Sequence, residues 1–199
     1  MADTPTTQPM IAGRYRCDAR LGQTRMALVL RGYDLRLQRP VLVHLLRRDL
    51  MAQEPMRQRF AQQIRATATV SHRSLLEVYD TGDVGGRPYL ITERVEGRSL
   101  REIGALSLEQ ALLYMRQITG AVVACQTAGV PHPPISSANL ILVDDGHVEL
   151  LENWRLTPEE LALEIASYRA PERTAGGPVQ PTAAVYALGL LLVELLSGQ

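Results

Sequence analysis

The chain contains no lysine: all 21 of its cationic side chains are arginine, set against 21 carboxylates for a formal net charge of zero over 199 residues. A genome biased against lysine codons accounts for this, but the chemical consequence holds whatever the cause. No side-chain amine is present to form a Schiff base or to set a compact positive charge on a phosphate. The balanced charge also removes the basic excess through which nucleic-acid binders release counterions, so no nucleic-acid partner is expected. Cysteine is scarce as well. Cys17 and Cys125 lie far apart with no Cys/His cluster beside either, which argues against a zinc site or a disulfide framework and fits a reducing cytoplasm. The opening MADTPTTQPM has no basic n-region and no apolar h-region, and reads as a flexible tail over residues 1–10. The longest apolar run, residues 183–196, contains Glu194 and is too short for a bilayer, so a soluble, cytoplasmic protein without a membrane segment is expected.

What is present is a hydrophobic fraction of 46%, enough for one good-sized core or two small lobes. Residues 14–36 read as strand, tight turn, strand, and 41–46 as a β-branched and leucine run of strand length. Glu54 and Pro55 open a helix whose Met56, Phe60, Ile64 and Thr67 recur every three or four residues. Strands are expected over 75–79 and 88–92, joined by hairpin chemistry at 83–86. From Gly97 the pattern turns helical. Ser107 and Gln110 form a capping-box pair before a helix over 108–127, residues 140–151 read as a hairpin broken at 144–146, and Thr157 is placed to cap another helix. Pro181 and Thr182 open a last helix through Leu196, ended by Gly198. A strand-rich part followed by a helical part predicts an α+β, two-lobed architecture.

Six stretches in this order resemble a bacterial eukaryotic-type Ser/Thr protein kinase domain, over residues 11–199. They are Arg14-Tyr15 before Leu21-Gly22, residues 33–40, residues 78–97, Ser137-Ala-Asn139 with Leu140-Ile141, Tyr168-Arg-Ala-Pro-Glu172, and 185–189 followed by 194–198. The resemblance implies an antiparallel-sheet N-lobe with one helix over 11–95 and a mainly helical, truncated C-lobe over 96–199.

It also implies which positions would carry phosphoryl transfer, and there the chain departs from the family. The glycine-rich loop keeps Gly22 but has Thr24 and Ala27 in later glycine slots, where bulk opposes close backbone approach. The third-strand lysine is His44, and the helix glutamate that would hold it is Gln63, so both members of that ion pair are gone. The His-Arg-Asp motif falls on His132-Pro133-Pro134, placing Pro134 where the catalytic aspartate belongs, and Ser136 replaces the loop lysine. Asn139 retains the family's metal-binding asparagine. Asp-Phe-Gly becomes Glu152-Asn153-Trp154, and the bracing aspartate of the last helix is Ala184. The walls of a nucleotide cleft are expected at Gly22, Val29, Leu42, Glu93 and Val95, with Leu42 filling part of the space that a small alanine leaves for the adenine ring.

The expected function is therefore a catalytically inactive, pseudokinase module that binds or scaffolds proteins, with no cofactor. The alternative is a nucleotide-binding switch or a very slow kinase, with ATP and a Mg²⁺ held by Asn139 and Glu152 and with Arg25 reaching in for the missing amine. A third reading is a truncated product without stable function. His132 is expected as a packed core histidine, Ser136 and Ser137 as turn residues, and Thr157 as a helix cap in place of a phosphosite. The last helix, 182–197, is expected to lack its usual cover and so to serve as a partner or self-association face.

Overall fold

The structure is a computed structural model and describes residues 9–143, 146–152, 158–174 and 181–198. It divides into two compact units. One holds the residues up to Ala68 together with Val78–Arg94; the other holds Thr69–Glu77 and the residues from Val95 onward.

The first unit is a six-stranded antiparallel sheet, in the order β1-β2-β3-β4-β6-β5, with one long helix. Its strands are β1 (Met10–Ile11), β2 (Tyr15–Gln23), β3 (Ala27–Asp34), β4 (Arg39–Leu46), β5 (Val78–Val84) and β6 (Arg87–Glu93), and its helix is α1 (Glu54–Thr67). Met10 pairs with Arg16, so the expected tail over 1–10 is corrected at its end: that residue is held in the sheet. Both faces of β4 are buried because both have something to cover. Val41, Val43 and Leu45 pack with Tyr15, Cys17, Tyr89 and Ile91 on one face. On the other, Leu46 packs with Ala27, Leu90 and the α1 residues Phe60 and Ile64. That double burial is why residues 41–46 read as a continuous apolar run rather than an alternating one. An ion pair ties the ends of β2 and β3: Arg14 donates twice to Asp34, from Nε at 2.9 Å and from Nη2 at 2.7 Å, and holds its carboxyl down at about 2.

The strand expected over 75–79 forms instead at Val78–Val84. Leu75 goes to the second unit, where it makes a parallel bridge with Leu150 and packs against the apolar core there. Leucine run and strand propensity do not distinguish these fates; the available core does. The segment Thr69–Glu77 therefore lies with the second unit, inside the span expected to belong to the N-lobe.

The second unit combines a three-stranded sheet with helices. Its strands are β7 (Arg98–Ser99), β8 (Leu140–Leu142) and β9 (Val148–Leu150), and its helices are α2 (Leu100–Ile103), α3 (Leu108–Thr127), α4 (Pro158–Ser167), α5 (Pro171–Thr174) and α6 (Pro181–Ser197). Ser107 accepts from the Gln110 amide and Gln110 answers to Ser107, closing the expected capping box; Ser99 and Glu102 form a second one. The hairpin of β8 and β9 matches the expectation at 140–150, while residues 144–145 and the cap expected at Thr157 lie outside the described residues. Helices α3 and α6 pack through Tyr114, Ile118, Ala184, Ala187, Leu191 and Leu195. On its other side α6 exposes Val185, Val193 and Leu196. No helix among the described residues is long and apolar enough to cross a membrane.

Close approach, not turn geometry alone, fixes Gly97. A Cβ there would run into the Leu142 carbonyl oxygen and sit 2.8 Å from Ile141 Cγ2, whereas one at Gly104 would meet open space. Gly97→Ala is expected to cost about 2–4 kcal/mol and Gly104→Ala about 1 kcal/mol, the latter for its positive φ alone. Urea denaturation of the two variants checks the order.

Candidate functional site

The candidate residues fall in two groups, one on each unit. In the first unit, strand register gathers them. Gly22 pairs with Val29, Val29 with His44, and Leu42 with Thr92, so Val29, Leu42, His44 and Thr92 share one face of the sheet. Val29, Leu42, His44 and Thr92 are all buried.

His44 is bound to Thr92. Its Nε2 lies 3.0 Å from Thr92 Oγ1, and the Thr92 hydroxyl itself donates to the Glu93 carbonyl, so the histidine is the donor in this pair. Full burial pushes its pKa down to about 4, leaving a neutral imidazole at pH 7. Gln63 is exposed on α1, and no hydrogen bond joins it to His44. The two residues expected at the family's ion-pair positions are thus not joined. Thr92 is the residue that sequence reasoning missed, because only the register of β4 against β6 reveals it.

The β2–β3 turn is closed by Thr24. Its Oγ1 accepts from the Ala27 amide at 2.9 Å and the Met26 amide at 3.3 Å, while its own amide donates to the Ala27 carbonyl at 2.7 Å. A threonine hydroxyl bonding to amides two and three residues on is a local motif, legible in principle from Thr24 and the three residues after it. Arg25, at the tip, is exposed and lends its carbonyl to Arg47.

In the second unit, residues 132–139 run into β8. His132 Nδ1 donates to the Pro133 carbonyl; the ring is half-buried, so the expected packed core histidine is a loop residue tied to its neighbour. Pro134 is exposed and offers its carbonyl to Asn139 Nδ2. The same Nδ2 donates to the Leu151 carbonyl at 2.8 Å, and Asn139 Oδ1 accepts from Ser136 Oγ at 2.7 Å. Both amide protons and one oxygen lone pair of Asn139 are therefore committed inside the protein, where the side chain is buried. Ser136 is a buried partner rather than a simple turn residue. Ser137 is one too: its amide donates to Tyr168 Oη at 3.2 Å, and its hydroxyl and that of Tyr168 donate to the two carboxylate oxygens of Glu194 on α6.

Glu152 follows Leu151, whose carbonyl and amide both bond to Asn139. It keeps some exposed surface, yet the protein packed around its carboxyl raises the pKa by desolvation, which opposes the charged form that a cation needs. Asn153 and Trp154 lie outside the described residues. Val95 is buried in this unit, Glu93 is half-buried in the other, and Ala184 is a buried contact of α6. No group of three or more His, Cys, Asp or Glu that would hold a metal ion occurs among the described residues. Both thiols are buried, and burial pushes Cys17 up to about 11, so neither is a nucleophile at neutral pH.

These features sit on a scaffold shared with known proteins. The protein kinase domain model matches residues 15–199. The chain belongs to the protein kinase domain family. It is 31% identical over 206 residues to the serine/threonine-protein kinase PknL of Mycobacterium tuberculosis, covering 98% of this chain and 52% of that protein. To PknB of Mycobacterium leprae it is 29% identical over 211 residues, covering 98% of this chain and 34% of that one. The chain thus spans about half or less of the length of these relatives. The crystal structure of the Mycobacterium tuberculosis PknI kinase domain superposes with a TM-score of 0.74 at 24% identity, over 98% of this chain and 78% of that chain, and bears on the fold alone. The α+β kinase fold read from the sequence, with its antiparallel-sheet N-lobe and helical C-lobe, holds.

His44 sets a pH dependence. Its folded-state pKa of about 4 lies below the ordinary 6.5, so the unfolded chain binds the extra proton first. The stability that neutral His44 permits is present above pH 6.5 and is lost as pH falls through 4. Between pH 7 and 4.5 the wild type should lose roughly 2 kcal/mol more than His44→Gln. Glu152, shifted the other way, acts alike in both proteins and cancels in the comparison. Equal losses by urea denaturation at the two pH values would refute the assignment.

Proposed function

We propose that this kinase-family chain is a pseudokinase module that acts by binding a protein partner, not by transferring phosphate. The observation that carries the reading is the inward engagement of Asn139: Ser136 holds one lone pair of its oxygen, and the Pro134 and Leu151 carbonyls hold its amide protons. A Mg²⁺ ligand needs a free oxygen facing the ion and a charged carboxylate beside it. Asn139 offers a committed amide, and Glu152 a carboxyl biased toward its neutral form. Phosphoryl transfer further depends on an amine for the phosphates and an aspartate for the substrate hydroxyl. His44, uncharged and tied to Thr92, supplies neither charge nor reach, and Pro134 accepts no proton from a hydroxyl. The residues present do not fit ATP and Mg²⁺.

The partner surface we assign is the outer face of residues 182–197, where Val185, Val193 and Leu196 stand exposed. Their charge complement is nil, since Glu194, the one carboxylate of α6, is engaged by Ser137 and Tyr168. The expected setting is the cytoplasm, in signalling shared with the relatives named serine/threonine kinases.

A nucleotide-binding switch is the second reading, favoured by one observation: two hydrogen bonds hold Leu151, the residue before Glu152, against Asn139, the other member of the expected metal pair. Thermal unfolding with ATP and Mg²⁺ separates the two. Binding at a hundred times Kd adds about 2.7 kcal/mol to stability; the pseudokinase reading predicts no shift. Transfer of labelled phosphate to any substrate by the purified chain, abolished by Glu152→Gln, would overturn it.

A further inference from the structure

The β2–β3 turn carries a determinant of its own. In a phosphate-binding turn the backbone amides stay unpaired, to meet an anion's oxygens. Here the amides of Met26 and Ala27 converge on one oxygen, Thr24 Oγ1, at 3.3 and 2.9 Å. The hydroxyl oxygen thereby occupies the position that an anion's oxygen would take between those two donors. The Thr24 amide is spent on the Ala27 carbonyl, and the Gln23 side chain is held by Arg20 Nη2 at 2.8 Å. The turn is not otherwise hostile to anions, for Arg20 and Arg25 are both exposed and no carboxylate lies between positions 19 and 33.

We propose that Thr24 is the specificity-determining residue that closes this turn to polyphosphate, by satisfying the Met26 and Ala27 amides with its own hydroxyl. The proposal rests on the closed-site reading above and names the group responsible for it on the first unit. It differs from steric blockage. A bulky residue excludes a ligand by volume, so any smaller side chain would relieve it, serine included; a hydroxyl excludes a ligand by occupying donors, so serine preserves the closure and alanine removes it.

The test uses the 199-residue chain with inorganic tripolyphosphate as the probe, read by amide nitrogen–proton NMR at Met26 and Ala27. In Thr24→Ala and Thr24→Gly both resonances should move saturably as tripolyphosphate is added, with at least tenfold tighter apparent binding than any drift in the wild type. Thr24→Ser should behave as the wild type does. Resonances that stay put in both Thr24→Ala and Thr24→Gly, with the remaining spectrum folded, would overturn the assignment to Thr24 and leave the Asn139 reading standing. Movement in Thr24→Ser equal to that in Thr24→Ala would overturn it in favour of volume. Saturable movement in the wild type itself would instead overturn the closed-site reading.

Discussion

A polar group taken out of water must find a partner, and leaving one unmade costs more than making it gains. That constraint governs this molecule more than any single apolar contact. At several positions expected to depart from what phosphoryl transfer needs, polar atoms have turned inward, while Gln63 stays exposed. His44 donates to Thr92, Thr24 collects the amides of its own turn, and Asn139 is held by Ser136 and two carbonyls. Each arrangement is inexpensive because donor and acceptor lie within a few residues or on adjoining strands. None leaves a charge stranded.

The loss of lysine fits this pattern. Among the described residues of its own unit, the partner of position 44 is a threonine hydroxyl and not an anion, and Gln63 is uncharged and exposed. A neutral imidazole is what that environment tolerates, and burial keeps it neutral. A charged pair that persists elsewhere is well made, as in the double hydrogen bond of Arg14 with Asp34. The family scaffold is thus kept by packing and by ion pairs remote from the replaced positions.

In the second unit the same economy links loop to helix. Ser137 has both an amide and a hydroxyl to give, and Tyr168 and Glu194 receive them, so the turn leading into β8 is tied directly to α6. The helix is consequently anchored on one side by Leu191, Leu195 and Glu194, while its opposite side presents only uncharged residues. An exposed face of this kind, on a helix fixed in place, loses little conformational entropy when it is covered.

Local chemistry determined much of this before any tertiary contact formed. The capping box at Ser107, the proline-opened helix at Glu54, the hairpin around Gly85 and Gly86 and the run of buried β4 follow from residues within a few positions of one another. So does the absence of lysine, which no folding can restore. The tertiary structure alone decided the fate of Leu75, drawn to the core around Leu150 instead of into β5, and of His132, which stayed at the half-buried loop. It alone paired His44 with Thr92 and gave both ends of the Asn139 amide partners inside the protein. Those partners are far apart in sequence or depend on strand register and loop path, and hydrogen bonding is decided by distance and direction, quantities that composition and spacing do not carry.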